Sequence, residues 1–155
     1  MKIELDPVGI VRSPRIEAVD DYWGRVVSTI EMDATLFSPE ALQGLESFSH
    51  VEVVYFFHLV PEAKIETAAR HPRNRTDWPK IGIFAQRGKN RPNRIGVSVC
   101  SVLKVEGLTI TVEGLDAIDG TPVLDVKPYI REFGPRKAVR QPDWATELME
   151  AYYRD

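Results

Sequence analysis

Hydrophobic positions along this chain recur mainly with a period of two, the spacing of a strand with one buried face. In residues 25–32, Val26, Ser28 and Ile30 fall on one side, and Val27, Thr29 and Glu31 on the other. Leu108, Ile110 and Val112 alternate in the same way with Thr109, Thr111 and Glu113. Further strands are expected over 3–12, 81–86, 95–103 and 123–130. The β-branched and aromatic run Val51–Val60 is long enough for a strand buried on both faces. Lys104-Val105-Glu106-Gly107 and Asp119-Gly120 supply turns between neighbouring strands. Helical signals are few. Ser38-Pro39-Glu40 places an N-cap and a first-turn proline before a short helix. Asp143 precedes Trp144, Leu148 and Tyr152 at four-residue spacing, which predicts an amphipathic helix over about 143–153. Many short strands with few helices fit a mainly β fold, a barrel or a sandwich. A single-sheeted closed β-barrel, with one short helix and a C-terminal helix, is favoured because closure removes exposed strand edges.

Length and composition narrow the function classes. A chain of 155 residues suits one domain over 1–155, large enough to bury a core without staples. Cys100 is the only cysteine, which excludes an intramolecular disulfide and a thiolate zinc site. His50, His58 and His71 are scattered, so no metal is expected. No glycine-rich turn follows a strand with dinucleotide-binding spacing, and no Walker-type loop is present. The opening Met1–Asp6 is too poor in apolar residues for a signal peptide. No apolar run approaches the ~20 residues that span a bilayer. The expectation is a cytoplasmic protein with no membrane partner.

The net charge of −3 hides an uneven distribution. Between Arg70 and Arg94 stand Arg70, Arg73, Arg75, Lys80, Arg87, Lys89, Arg91 and Arg94, against the single acid Asp77. A concentrated positive segment on an acidic body suits a polyanion, and equally a solvated basic loop. Its centre, Gly82 to Gly96, joins two apolar strands through guanidinium and amide groups. Arginine offers paired planar donors for phosphate or carboxylate. Asn93 can read a base edge, and Pro92 stiffens the turn.

Gly82–Asn93 closely resembles a signature of the YaeB-like family, whose best-known members methylate threonylcarbamoyl-adenosine next to the tRNA anticodon. Phe84, Ala85, Arg87, Arg91, Pro92 and Asn93 match it. Ile83, Gly88 and Arg94 stand where valine or alanine, serine or alanine, and proline are usual. Gly9–Pro14, Gly44–His50, Phe56–His58 and Leu115–Tyr129 resemble further family stretches in the same order. The likeness covers roughly residues 8–130. It implies the family's β-barrel, S-adenosyl-L-methionine as cofactor, tRNA as a partner and assembly as a homodimer. Larger bacterial members carry a further C-terminal domain, which is expected to be absent here. The family's Arg-Gln-x-Gly-like stretch is replaced by Asp20-Asp21-Tyr22-Trp23-Gly24.

By this resemblance the cofactor contacts are Asp21, Tyr22, Trp23, Phe57, His58, Arg87, Val97, Asp119, Gly120, Thr121 and Pro122. Tyr22 and Trp23 are candidates for an aromatic face, or for a core or hairpin pair. His58 and Asp119 are candidate proton acceptors. Taken alone, His58 fits a satisfied core histidine and Asp119-Gly120 a plain hairpin turn. Arg91, Asn93 and Arg94 are expected to face RNA, with Lys127 a phosphate contact and Tyr129 a stacking surface. Arg131, Arg136, Lys137 and Arg140 either extend that track or form a solvated connection. Three readings remain: the tRNA adenosine methyltransferase, a methyltransferase of the same fold with another RNA or small-molecule acceptor, and a non-catalytic RNA-binding barrel.

Overall fold

A computed structural model describes residues 1–155. Its strands are β1 (Gly9–Arg12), β2 (Val27–Met32), β3 (His50–Phe56), β4 (Ala69–Arg70), β5 (Ile81–Gly82), β6 (Ile95–Glu106), β7 (Thr109–Glu113) and β8 (Pro122–Pro128). One α-helix follows, α1 (Asp143–Leu148). Six strands close into an antiparallel barrel in the order β1-β2-β7-β6-β3-β8, while β4 and β5 form a separate ribbon. The mainly β, closed-barrel expectation holds.

Alternation is what fills the interior. Val51, Val53 and Tyr55 of β3, Ile110 and Val112 of β7, Ile30 of β2, Val11 of β1 and Val123 of β8 all point inward and are buried. Register irregularities at Val54/Tyr55 against β8, and at Val102/Lys104 against β7, provide the local bends that closing a small barrel requires.

Several elements are shorter than the pattern suggested. β3 ends at Phe56: the Phe57 amide bonds the Arg94 carbonyl and the His58 amide turns back to Phe56. The apolar run after Ile81 pairs for two residues, then coils into a 3-10 turn, Ile83–Ala85, that buries Ile83 and leaves Phe84 exposed. Ser38 makes no side-chain cap, and the helix after it is a 3-10 turn, Pro39–Leu42. The C-terminal helix stops at Leu148, and turns carry the chain to Tyr153. There the carbonyls of Ala151 and Tyr152 accept bonds from the amides of Tyr22 and Trp23, 3.1 and 2.8 Å long. No helix is long and apolar enough to cross a membrane.

Candidate active site at the barrel mouth

The antiparallel register brings one end of every barrel strand to a common rim: the C-terminal ends of β1, β3 and β7, and the N-terminal ends of β2, β6 and β8. The connections 13–26, 57–94 and 114–121 therefore all emerge at this mouth. Every non-glycine residue with positive φ lies in the first two: Tyr22, Arg73, Asn74, Asn93 and Arg94. Side chains seldom accept that conformation, and it gathers where surrounding contacts fix a working geometry.

A polar knot closes the barrel beneath the mouth. One carboxylate oxygen of Asp116 accepts the Ser98 and Tyr55 hydroxyls, and the other accepts the Tyr152 hydroxyl. The Tyr55 and Phe57 rings meet edge to face at 5.5 Å. Gly96 permits this, since a Cβ there would stand 2.5 Å from the Tyr55 ring and 2.9 Å from Phe57. Burial, reinforced by the Asp116 charge, raises the phenol pKa of both Tyr55 and Tyr152 and keeps them as donors. Burial pushes the Cys100 thiol, lower in the barrel, up to about 12.

Most of the expected cofactor residues converge above this knot. The His58 ring lies beside Gly120, with Nε2 3.9 Å from the point a Cβ of Gly120 would occupy. Asp119 accepts the Ser13 amide at 3.0 Å, and its own amide donates to the Arg15 carbonyl at 2.7 Å. That leaves its second carboxylate oxygen without a partner in the chain. Thr121 is buried, and its carbonyl accepts the Val11 amide; Pro122 opens β8 opposite Ile10. Arg87 donates from Nη2 to the carbonyl of Val97 at 2.7 Å, so the basic turn folds back on β6 beside β3. The two family-like stretches thus share one rim.

The stretch after β1 departs from expectation. Trp23 is 3% exposed, bonds the Val19 carbonyl through Nε1 and lies under the Arg15 guanidinium at 4.4 Å. It is a packed residue and offers no free stacking face. Tyr22 is exposed beside it. Asp21 makes a bidentate pair with Arg73, at 2.9 and 3.1 Å.

The basic segment likewise spends much of its charge on its own loop. Arg73 holds Asp21, and Arg75 pairs with Asp77 and stacks on Trp78 at 3.9 Å. Arg91 donates to the Gln86 carbonyl, and Arg94 donates to the Val60 carbonyl while covering the Phe56 ring. Asn93 is exposed at the tip. Lys80 and Lys89 are exposed and make no ion pair within the chain. Lys127 and Tyr129 are not brought to this rim. β3 pairs Phe56 with Ile95 at the mouth and Val51 with Pro128 at the far end, about 17 Å away at strand rise. A recess lined by Glu132 to Arg136 is one local turn and gathers no convergent groups from other elements. No three His, Cys, Asp or Glu side chains face a common point in a way that would hold a metal.

Sequence reasoning missed Asp116, Tyr152 and Tyr153 as mouth residues. Asp116 lies inside the second family-like stretch, yet its partners come from β3, β6 and the C-terminus, and only the closed barrel unites them.

A family model for the tRNA-methyltransferase O N-terminal domain matches residues 17–134. The chain belongs to this family. Among curated relatives, a probable S-adenosyl-L-methionine-binding protein of Methanothermobacter thermautotrophicus is 37% identical over 134 residues, 85% of this chain and 93% of that protein. The human tRNA (adenine(37)-N6)-methyltransferase is 42% identical over 106 residues, 68% of this chain but 24% of its own length. A crystal structure of TrmO from Pseudomonas aeruginosa superposes with a TM-score of 0.73 at 30% identity, covering 90% of this chain and 62% of that one. This family member therefore spans less than two thirds of several relatives, and nearly all of the archaeal one.

Proposed function

We propose that this chain is a methyltransferase module that uses S-adenosyl-L-methionine to methylate N6 of threonylcarbamoyl-adenosine beside the tRNA anticodon. The observation that carries this reading is that both family-like loops emerge at one mouth, with His58 against Gly120 and Arg87 folded onto Val97. Its relatives' names support it: the human protein is called a tRNA (adenine(37)-N6)-methyltransferase, and the archaeal one a probable S-adenosyl-L-methionine-binding protein.

The residues at the mouth fit that cofactor. Arg87 keeps guanidinium donors for a carboxylate, Asp119 keeps one oxygen for a hydroxyl or ammonium, and Phe57 and Tyr22 offer aromatic surface. Gly120, Thr121 and Pro122 supply backbone at the same edge, and Asp21 is held close by Arg73. When bound, S-adenosyl-L-methionine supplies an electrophilic methyl group on a sulfonium. The protein's own work is alignment and exclusion of water, which the rigid knot under the mouth favours. An exocyclic adenosine nitrogen must also lose a proton. His58 and Asp119 are the mouth groups placed to accept it, directly or through water.

Lys89 and Asn93, exposed on the basic turn, form the RNA-facing edge in this reading, while Arg91 and Arg94 brace that turn through the Gln86 and Val60 carbonyls. An anticodon loop is single-stranded and accessible, which suits stacking and phosphate contacts. The protein acts in the cytoplasm as a homodimer. The outward apolar side chains Val54, Val97 and Val99 of β3 and β6 support the dimer, with Val99 41% exposed.

A second acceptor is favoured by one observation: Asp20–Gly24 differs from the family stretch, and its Trp23 is buried. The test is calorimetric titration with S-adenosyl-L-methionine, then mass analysis of nucleosides after incubation with tRNA carrying threonylcarbamoyl-adenosine. A gain of one methyl on that nucleoside is expected. Cofactor binding with methyl transfer only to another RNA or a small molecule selects the second reading. Salt-sensitive RNA binding without cofactor binding identifies an RNA-binding barrel and overturns both.

A further inference from the structure

The residues after Gly134 lie outside the segment matched by the family model, and they return to the mouth. The tail is fastened there at several independent points. Its backbone pairs with Tyr22 and Trp23, the stretch in which this chain departs from its family. Gly24 is required by this pairing, because a Cβ on residue 24 would collide with the Tyr153 carbonyl oxygen. The Tyr152 hydroxyl is tied to Asp116, Glu147 accepts the Trp78 indole N–H at 2.7 Å, and Asp155 pairs with Arg25 at 2.7 Å. The altered stretch and the tail are therefore one unit.

We propose that the tail Ala151–Tyr153 builds one wall of the S-adenosyl-L-methionine pocket, with the Tyr153 ring as the aromatic face that buried Trp23 cannot present. This inference rests on the function proposed above. Tyr152 is the anchor, and its ring meets Tyr153 edge on at 5.0 Å, which fixes the second ring's position. Tyr153 is 47% exposed, and its hydroxyl makes no hydrogen bond within the chain, so folding leaves much of this ring unused. The backbone pairing sets it at the rim beside Gly24, and its phenol is sensitive to both charged groups of the mouth: burial raises its pKa, the Asp116 carboxylate raises it further, and the Arg87 guanidinium opposes them. An aromatic face beside a guanidinium and a carboxylate suits a molecule that carries an adenine, a sulfonium and an amino-acid group.

The test is calorimetric affinity of the full chain for S-adenosyl-L-methionine, in the wild type, Tyr153→Phe and Tyr153→Leu. The leucine variant keeps apolar bulk at a half-exposed position, and a thermal melt verifies its fold. Loss of the ring is expected to weaken binding about tenfold, the size of a desolvated aromatic–cation contact. Tyr153→Phe should stay within about twofold, because the face remains. Wild-type affinity in Tyr153→Leu would overturn the inference and leave the methyltransferase reading intact. Tighter binding in that variant would also overturn it, since the tail would then obstruct the pocket. A wild-type chain that binds no S-adenosyl-L-methionine removes the function proposed and this inference with it.

Discussion

Asp116 accepts three hydroxyl hydrogen bonds at once, and the groups that donate them come from β3, β6 and the C-terminal tail. A buried donor that loses its acceptor costs about 1–3 kcal/mol. Asp116→Asn replaces one accepting oxygen with a donor facing other donors. It should lower the unfolding free energy by about 2 kcal/mol in a urea titration; a loss under about 0.5 kcal/mol would mean solvent satisfies the knot. Cys100 provides a separate test. Its thiol is raised from 9.0 to about 12 by burial, with the Asp116 charge adding to it. Between those values the folded chain keeps a proton that the unfolded chain has lost. The thiol's stabilising contribution is therefore complete below pH 9 and is lost as pH rises toward 12. Tyr55 and Tyr152, also raised, act with the same sign at higher pH. Unfolding free energy should fall by about 1.4 kcal/mol per pH unit for each such group. Cys100→Ala should remove one group's share of that slope between pH 9 and 10, and an unchanged slope would show that the thiol is not buried in solution.

At the scale of elements, the connection 57–94 buries Val60, Trp78 and Ile83 and is pinned in addition by its own arginines. Arg73 is the clearest pin, because its bidentate pair with Asp21 joins this connection to the one after β1. Arg73→Ala should speed tryptic cleavage within residues 61–91 several-fold while the barrel's cooperative melt changes by only a few degrees. Cleavage at the wild-type rate would show that other contacts suffice. This element also shows what the sequence could reveal. Period-two alternation exposed β2 and β7 because Ser28, Ile30, Ile110 and Val112 face a core while their neighbours face water. It overextended β3 past Phe56, since nothing local distinguishes a residue in the ladder from Phe57, whose amide bonds a carbonyl 37 residues on. The density of arginine marked the mouth loop correctly. Composition could not say that Arg73, Arg91 and Arg94 would be turned inward onto protein oxygens, leaving Lys80 and Lys89 unpaired. The resemblance to a family located His58, Arg87 and Asp119–Pro122 in one region. It was silent on Tyr153, which lies outside the matched segment and reaches the mouth only through tertiary pairing.

For the whole molecule, closure leaves no free strand edge in the barrel, so the proposed dimer is assigned to an outer face of the barrel. The outer face of β3 and β6 carries Val54 and Val97 toward the mouth, Val99 opposite Glu52 nearer the far end, and Leu103, 52% exposed, farther along β6. In a two-fold dimer each residue of such a face is buried twice, once in each protomer. Val99→Asp would then place two carboxylates in one apolar contact, with no gain to offset their desolvation. Because Val99 points away from the barrel interior, the same change should leave the monomer's fold and melting cooperativity intact. Light scattering at micromolar concentration should give a dimer mass for the wild type and a monomer mass for Val99→Asp. A dimer in both would assign assembly to another surface, and a monomer in both would remove it. The affinity of the variant for S-adenosyl-L-methionine adds a further distinction. Val97, next to Val99 on the same outer face, holds Arg87 through its carbonyl. If the partner protomer helps to seat that turn, affinity should fall with the dimer; if each mouth is complete, the monomer should bind as the wild type does.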